Sequence, residues 1–177
     1  MRWHRSPWVW ISLLILLSAG QKIWLLSIQA IPFNSDEAIV GLMARHILEG
    51  ERPVFFYGQA YMGSLDAWLV AAGFSIFGSQ VWVIRLVQII LYSITIIVTI
   101  FTGRVAFRSW KHGLVAGVFL AFPTVNTTLY TTASLGGYSE AILIGSLGLL
   151  LGFWMLDKEN LRSFVWMGIW GHLLGLG

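Results

Sequence analysis

Asp36 and Glu37 stand side by side in Asn34-Ser35-Asp36-Glu37-Ala38, and Glu140 stands in Gly136-Gly137-Tyr138-Ser139-Glu140-Ala141. Neighbouring carboxylates suit general acid–base chemistry, in which one of them takes the proton of an attacking hydroxyl from ~3 Å away. The same acids have a structural use, because a carboxylate in the first turn of a helix offsets the helix dipole by about 0.3–1 kcal/mol. Spacing alone leaves both uses open for all three. Arg85 can bind a phosphate, pair with an acid or snorkel to the interface, and Lys22 suits an anionic lipid head group or the same snorkelling. Tyr57-Gly58-Gln59-Ala60-Tyr61 offers two phenols and an amide for substrate contacts, and equally an interfacial aromatic belt. We take Asp36, Glu37 and Glu140 as candidate catalytic residues. Lys22, Arg85, Tyr57, Gln59 and Tyr61 are the candidate substrate-binding residues.

Other chemistries find no footing. His4, His46, His112 and His172 are scattered without metal-ligand spacing. The chain has no Cys, so thiolate metal sites and disulfides are excluded. No metal ligand set and no certain cofactor can be named, and a divalent ion finds no support in the residue pattern. There is no phosphate loop and no dinucleotide fingerprint. The net charge of +3 comes from few, dispersed Lys and Arg, which argues against a nucleic-acid partner.

These residues must be positioned by membrane helices. Of 177 residues 57% are hydrophobic and 11% charged, against about 25% charged in soluble domains. Mean hydropathy is +0.76. The expected fold class is all-α, a polytopic helical membrane protein. Apolar stretches long enough to cross cover about 7–29, 81–103, 113–133 and 138–156, with an incomplete fifth at 164–177. Pro123 should kink the third, where Asn126, Thr127, Thr128, Thr131 and Thr132 can satisfy freed backbone groups. The short fifth stretch leads us to expect the N-terminal part of one longer transmembrane domain.

Between the first two spans lies a loop, 30–80, rich in acids. Asn34 with Glu37 three residues on has capping-box spacing. The spacing of Ile39, Val40, Met43, Ile47 and Leu48 predicts an amphipathic helix over 35–49, stopped by Gly50 and Pro53. We expect it to lie on a membrane surface. A second apolar stretch, 64–77, is too short to span and suits another surface helix.

Charge distribution sets the orientation. If 64–77 does not span and the N-terminus is cytoplasmic, then Arg2, Arg5, Arg104, Arg108, Lys111, Lys158 and Arg162 all lie inside, seven of the eleven Lys and Arg. Asp36, Glu37, Glu49, Glu51, Asp66 and Glu140, six of the eight acids, then share the outer face. The short Gly-rich loop before Glu140 can press close to the first loop, so a shared carboxylate site is geometrically allowed.

One N-terminal span, Pro32-Phe33-Asn34-Ser35-Asp36-Glu37-Ala38 opening an outer helix, a second surface helix, and Arg85-Leu86 entering the next span together resemble the GT-C glycosyltransferase superfamily. The nearest branch resembles the protein O-mannosyltransferase and aminoarabinose-transferase group, family 39-like. The resemblance implies a GT-C-type transmembrane bundle with two amphipathic surface helices in the first outer loop. It implies an integral, multi-pass enzyme of a bacterial or archaeal plasma membrane. Its donor would be a polyprenyl-phosphate-linked sugar, its acceptor a hydroxyl of a protein, lipid or glycan, and its surroundings membrane lipid. Family acids in the first outer loop are catalytic and match Asp36 and Glu37, and a further acid at the outer start of the fourth span matches Glu140. The implied reaction inverts the anomeric centre, with Asp36 as general base and the full-length chain required. Relatives often carry a Glu-Lys-Pro-Pro type run before the second surface helix, where this chain has Gln59-Ala60-Tyr61-Met62, so any metal site or lysine contact built there is in doubt. A transporter or flippase, or a non-catalytic membrane subunit, would be the alternative; a transporter should carry charges near the bilayer midplane, whereas most here sit at span ends.

Overall fold

The computed structural model describes residues 6–156 together with Val165, Gly168 and Gly171. The incomplete stretch expected at 164–177 lies, apart from those three, outside the described residues. Seven helices and one hairpin are described: α1 (Pro7–Ser27), α2 (Ser35–Leu48), β1 (Phe55–Phe56), β2 (Gln59–Gly63), α3 (Leu65–Phe77), α4 (Val81–Phe107), α5 (Trp110–Ala121), α6 (Val125–Tyr130) and α7 (Tyr138–Leu156). Three of them, α1, α4 and α7, are long and apolar enough to cross a membrane. The protein is an all-α polytopic membrane protein.

The stretch 113–133, expected as one kinked span, is corrected to two helices. α5 ends at Ala121 and α6 begins at Val125, and twelve residues rise only about 18 Å. Pro123 is the cause: it brings no N–H to the helix, and it forces Phe122 out of the helical region to φ −120, ψ 69. Thr124 restarts the helix as its N-cap, accepting from the Thr127 N–H. The hydroxyls of Thr128, Thr131 and Thr132 donate to carbonyls one turn back, at 2.9, 2.5 and 2.6 Å.

The packed chain divides into two compact units, and three helices contribute to both. Of the described residues, the first comprises 6–21, 93–123 and the chain from 143 onward. Its seam is made of glycines: a Cβ on Gly113 would lie 2.2 Å from the Ile100 carbonyl, and one on Gly117 would lie 2.6 Å from Ile100 Cγ1. Small residues at these points let α4 and α5 approach backbone to backbone.

The second unit comprises Lys22–Tyr92 and Thr124–Ile142. The capping box at the start of α2 forms as its spacing predicts, with the Glu37 N–H donating to Asn34 Oδ1 at 3.0 Å. The apolar stripe of α2 was expected to face a membrane surface. Instead Val40, Met43, Ala44 and Ile47 pack against Val70, Ala71 and Phe74 of α3 and Val83 and Ile84 of α4. Protein supplies the apolar partners that lipid was expected to supply. A Cβ on Gly41 would stand 3.1 Å from Ile84 Cδ1, so glycine permits the close approach. Between α2 and α3 the chain forms an antiparallel hairpin where a loop was expected, pairing Phe56 with Gln59 across Tyr57-Gly58. Gly58, at φ +79, makes that turn accessible.

Candidate functional site

Four carboxylates of the second unit stand in the first turns of helices: Asp36 and Glu37 in α2, Asp66 in α3 and Glu140 in α7, with Asp66 within electrostatic reach of both Glu37 and Glu140. Their surroundings differ.

Glu37 is fully buried and held by Arg85. Arg85 Nε donates to Oε1 at 3.0 Å and Nη2 donates to Oε2 at 3.0 Å, a planar fork on a planar carboxylate. Both oxygens of this buried carboxylate are thus committed to one guanidinium. Asp36, next in sequence, is half-buried and has no hydrogen-bond or ion-pair partner among the described residues.

Asp66 is 2% exposed. Its Oδ1 accepts from Gln88 Nε2 at 2.8 Å, and its Oδ2 accepts from the hydroxyl of Ser134. Burial pushes its carboxyl above the ordinary range, the hydrogen bonds from Ser134 and Gln88 act in the opposite direction, and the charge of Glu37 adds to the rise. Sequence reasoning counted Asp66 among the outer acids without assigning it to the site. Gln88, one turn beyond Arg85 on α4, was the available sign that this helix presents polar groups to a neighbour.

Glu140 is also buried, within electrostatic reach of Asp66. Its Oε2 and the neighbouring Ser139 hydroxyl have no hydrogen-bond partner among the described residues. Buried polar atoms are nearly always paired, so each is open to a hydrogen bond from a ligand or water. Gly137, at φ +108, lies beside Oε1, where a Cβ would come within 3.8 Å. Gly136, at φ +75, is pressed so near the hairpin that a Cβ there would lie 2.5 Å from Met62 Cε. The Gly-rich loop before α7 therefore meets the segment between α1 and α4, through Ser134 on Asp66 and Gly136 on Met62.

Lys22 is buried, with its ammonium donating to the Thr131 carbonyl at 2.9 Å and to the hydroxyls of Thr131 and Thr132 at 2.6 and 2.9 Å. The same group lies 4.3 Å from the Tyr92 ring centroid. Three acceptors occupy its three N–H bonds, which leaves none for a phosphate in this arrangement. Arg85 differs, because it lines a cavity of about 550 Å³ with Ile23, Leu26, Val81, Trp82, Leu86 and Ile89.

The hairpin residues are dispersed. The Tyr57 hydroxyl donates to Glu51 Oε2 at 2.6 Å and lies 3.1 Å from His46 Nδ1. Accepting that proton, the Glu51 carboxylate holds the phenol above its ordinary pKa. Tyr61 is 83% exposed and Gln59 is half-buried. Among the described residues no group of three or more His, Asp or Glu side chains is arranged to hold a metal ion.

Comparison with known proteins gives a family match. Residues 64–177 fit the model of a family described as dolichyl-phosphate-mannose-protein mannosyltransferase. The matched range takes in Asp66, Arg85 and Glu140 and begins after Asp36 and Glu37. No curated protein and no solved structure matches the chain.

Proposed function

The chain belongs to the dolichyl-phosphate-mannose-protein mannosyltransferase family, and from that premise we propose that it transfers a sugar from a polyprenyl-phosphate carrier to an acceptor hydroxyl on the outer face of the membrane. Membership makes it a membrane glycosyltransferase in the broad sense. The donor, the face and the residue roles are our reading of the site.

In that reading Asp36 is the general base. The acceptor oxygen attacks the anomeric carbon from the side opposite the carrier, and its proton passes to the Asp36 carboxylate. The new C–O bond forms as the bond from the anomeric carbon to the phosphate oxygen breaks, and the electron pair leaves with the polyprenyl phosphate. Configuration inverts. The observation that carries this assignment is the contrast between two adjacent acids: Glu37 is locked by Arg85, while Asp36 is half-buried with both oxygens free of partners among the described residues.

The leaving phosphate needs a cation. Arg85 supports that role better than Lys22, since it lines an otherwise apolar cavity suited to a lipid carrier, whereas the Lys22 ammonium is saturated by threonines. Glu140, with a buried oxygen unpaired among the described residues, is suited to accept a hydrogen bond from a sugar or acceptor hydroxyl.

The test is donor class. Full-length protein in proteoliposomes should transfer label from a polyprenyl-phosphate hexose or pentose and give none from the corresponding nucleotide sugar. Transfer from the nucleotide sugar alone would overturn the proposal.

A further inference from the structure

A separate cavity of about 520 Å³ lies wholly within the first unit, between α1 and α5. Its volume falls in the ~300–1,000 Å³ range of small-molecule sites. Trp10, Leu13 and Leu17 are among its walls on α1, and Lys111, Val115 and Val118 on α5.

The two helices run in the same direction along it. Trp8 and Trp110, each near the start of its helix, have ring centroids 6.3 Å apart, so the two starts are level. Trp10 to Leu17 on one wall and Lys111 to Val118 on the other each rise about 10 Å. The cavity therefore has a cation and the Trp10 indole at one end and aliphatic walls beyond. Tryptophans gather at the depth of lipid head groups, and the end that carries Trp8, Trp10 and Trp110 is the end that carries Lys111.

Lys111 has no hydrogen-bond or ion-pair partner among the described residues. Arg104, by contrast, is engaged, its guanidinium 4.1 Å from the Trp110 ring centroid. The stability of α5 does not account for Lys111, because a cation in the first turn opposes the helix dipole and that turn holds no acid. An occupant that fits must be apolar along most of its length and anionic at one end. Basic pockets beside membrane helices meet that description with phospholipid head groups.

We propose that this cavity binds an anionic membrane phospholipid, with an acyl chain against α1 and α5 and the phosphate on Lys111. The lipid is a structural ligand, distinct from the sugar carrier assigned to the Arg85 cavity.

The test uses full-length protein in bilayers containing spin-labelled phosphatidylglycerol or spin-labelled phosphatidylcholine, with the immobilised fraction read by electron paramagnetic resonance. Phosphatidylglycerol should be favoured by about fivefold, the contribution of one basic residue near a membrane surface. Lys111→Gln, a solvent-side change that spares the packing, should bring the ratio to about one while phosphatidylcholine still associates. Val115→Trp should fill the groove and lower the association of both lipids. Equal affinity in the unaltered protein, or a preference that survives Lys111→Gln, would overturn the proposal. So would displacement of the label by polyprenyl phosphate more readily than by phosphatidylglycerol, which would make this a carrier site. A Val115→Cys label shielded from lipid-phase quenchers would show that protein fills the groove, and would overturn it as well.

Discussion

The guanidinium of Arg85 grips both carboxylate oxygens of Glu37 at 3.0 Å, joining the first turn of α2 to the first turn and a half of α4 across 48 residues of sequence. The pair fixes the backbone that carries Asp36, so in the proposed mechanism the base is positioned by its neighbour's ion pair.

Breaking that pair on one side should be costly. Arg85→Met leaves a buried, uncompensated carboxylate, and the expected loss is roughly 3–5 kcal/mol of stability. Glu37→Leu combined with Arg85→Met should recover most of it. A double-mutant cycle on thermal unfolding in detergent measures the coupling, and single variants no worse than the double would show that the pair does not hold the site.

Asp66 gives a pH dependence of determined sign. Its carboxyl is raised above the ordinary 3.8 by burial, so the folded state binds the proton more tightly than the unfolded one. That contribution is complete below pH 3.8 and is lost as pH rises through the raised native value. Asp66→Asn, which carries no titrating group there, should show a flatter decline of melting temperature with rising pH. Parallel curves for the two proteins would contradict the assignment.

Two glycines should respond oppositely to the same change. Gly113→Ala drives a methyl group to 2.2 Å from the Ile100 carbonyl, a backbone atom that cannot swing away, and should cost about 1–3 kcal/mol. Gly145→Ala meets nothing within 4 Å inside α7 and should be neutral or stabilising by up to about 1 kcal/mol. Melting temperatures of the pair decide the matter.

The outer-face proposal can be read directly, because the chain has no native cysteine to give background. Tyr61→Cys on the hairpin and Tyr138→Cys at the start of α7 replace exposed side chains of the second unit. Both should react with a membrane-impermeant thiol reagent in intact cells. Labelling of either only after lysis would put the carboxylates on the inner face.

Local signals in the sequence carried much of this arrangement. The Asn34–Glu37 spacing marked the start of α2 to the residue, because a capping box is a contact within four residues. The shortness of 64–77 set it apart from the spans, and α3 is indeed 13 residues long. What could not be read depended on contacts between distant segments. The apolar stripe of α2 is the same whether lipid or α3 covers it. An acid partner was one of the readings open for Arg85, but its identity, 48 residues away, was not legible, and nothing local marked the threonines that Lys22 meets 109 residues away. Asp66 carried no local mark of its partners Gln88 and Ser134. The break at Pro123 was half legible: the kink was expected, but full separation into α5 and α6 depended on the Thr124 cap taking over from the proline.

The most direct test is Asp36→Asn in the full-length protein, assayed for both sugar transfer and binding of the lipid-linked donor. Removing a positioned general base should lower the transfer rate by roughly 10²–10⁴-fold. Donor binding should stay unchanged, since the side chain replaced is nearly the same size and the Glu37–Arg85 contact remains. Near-normal transfer by Asp36→Asn would contradict the assignment of Asp36 as the base.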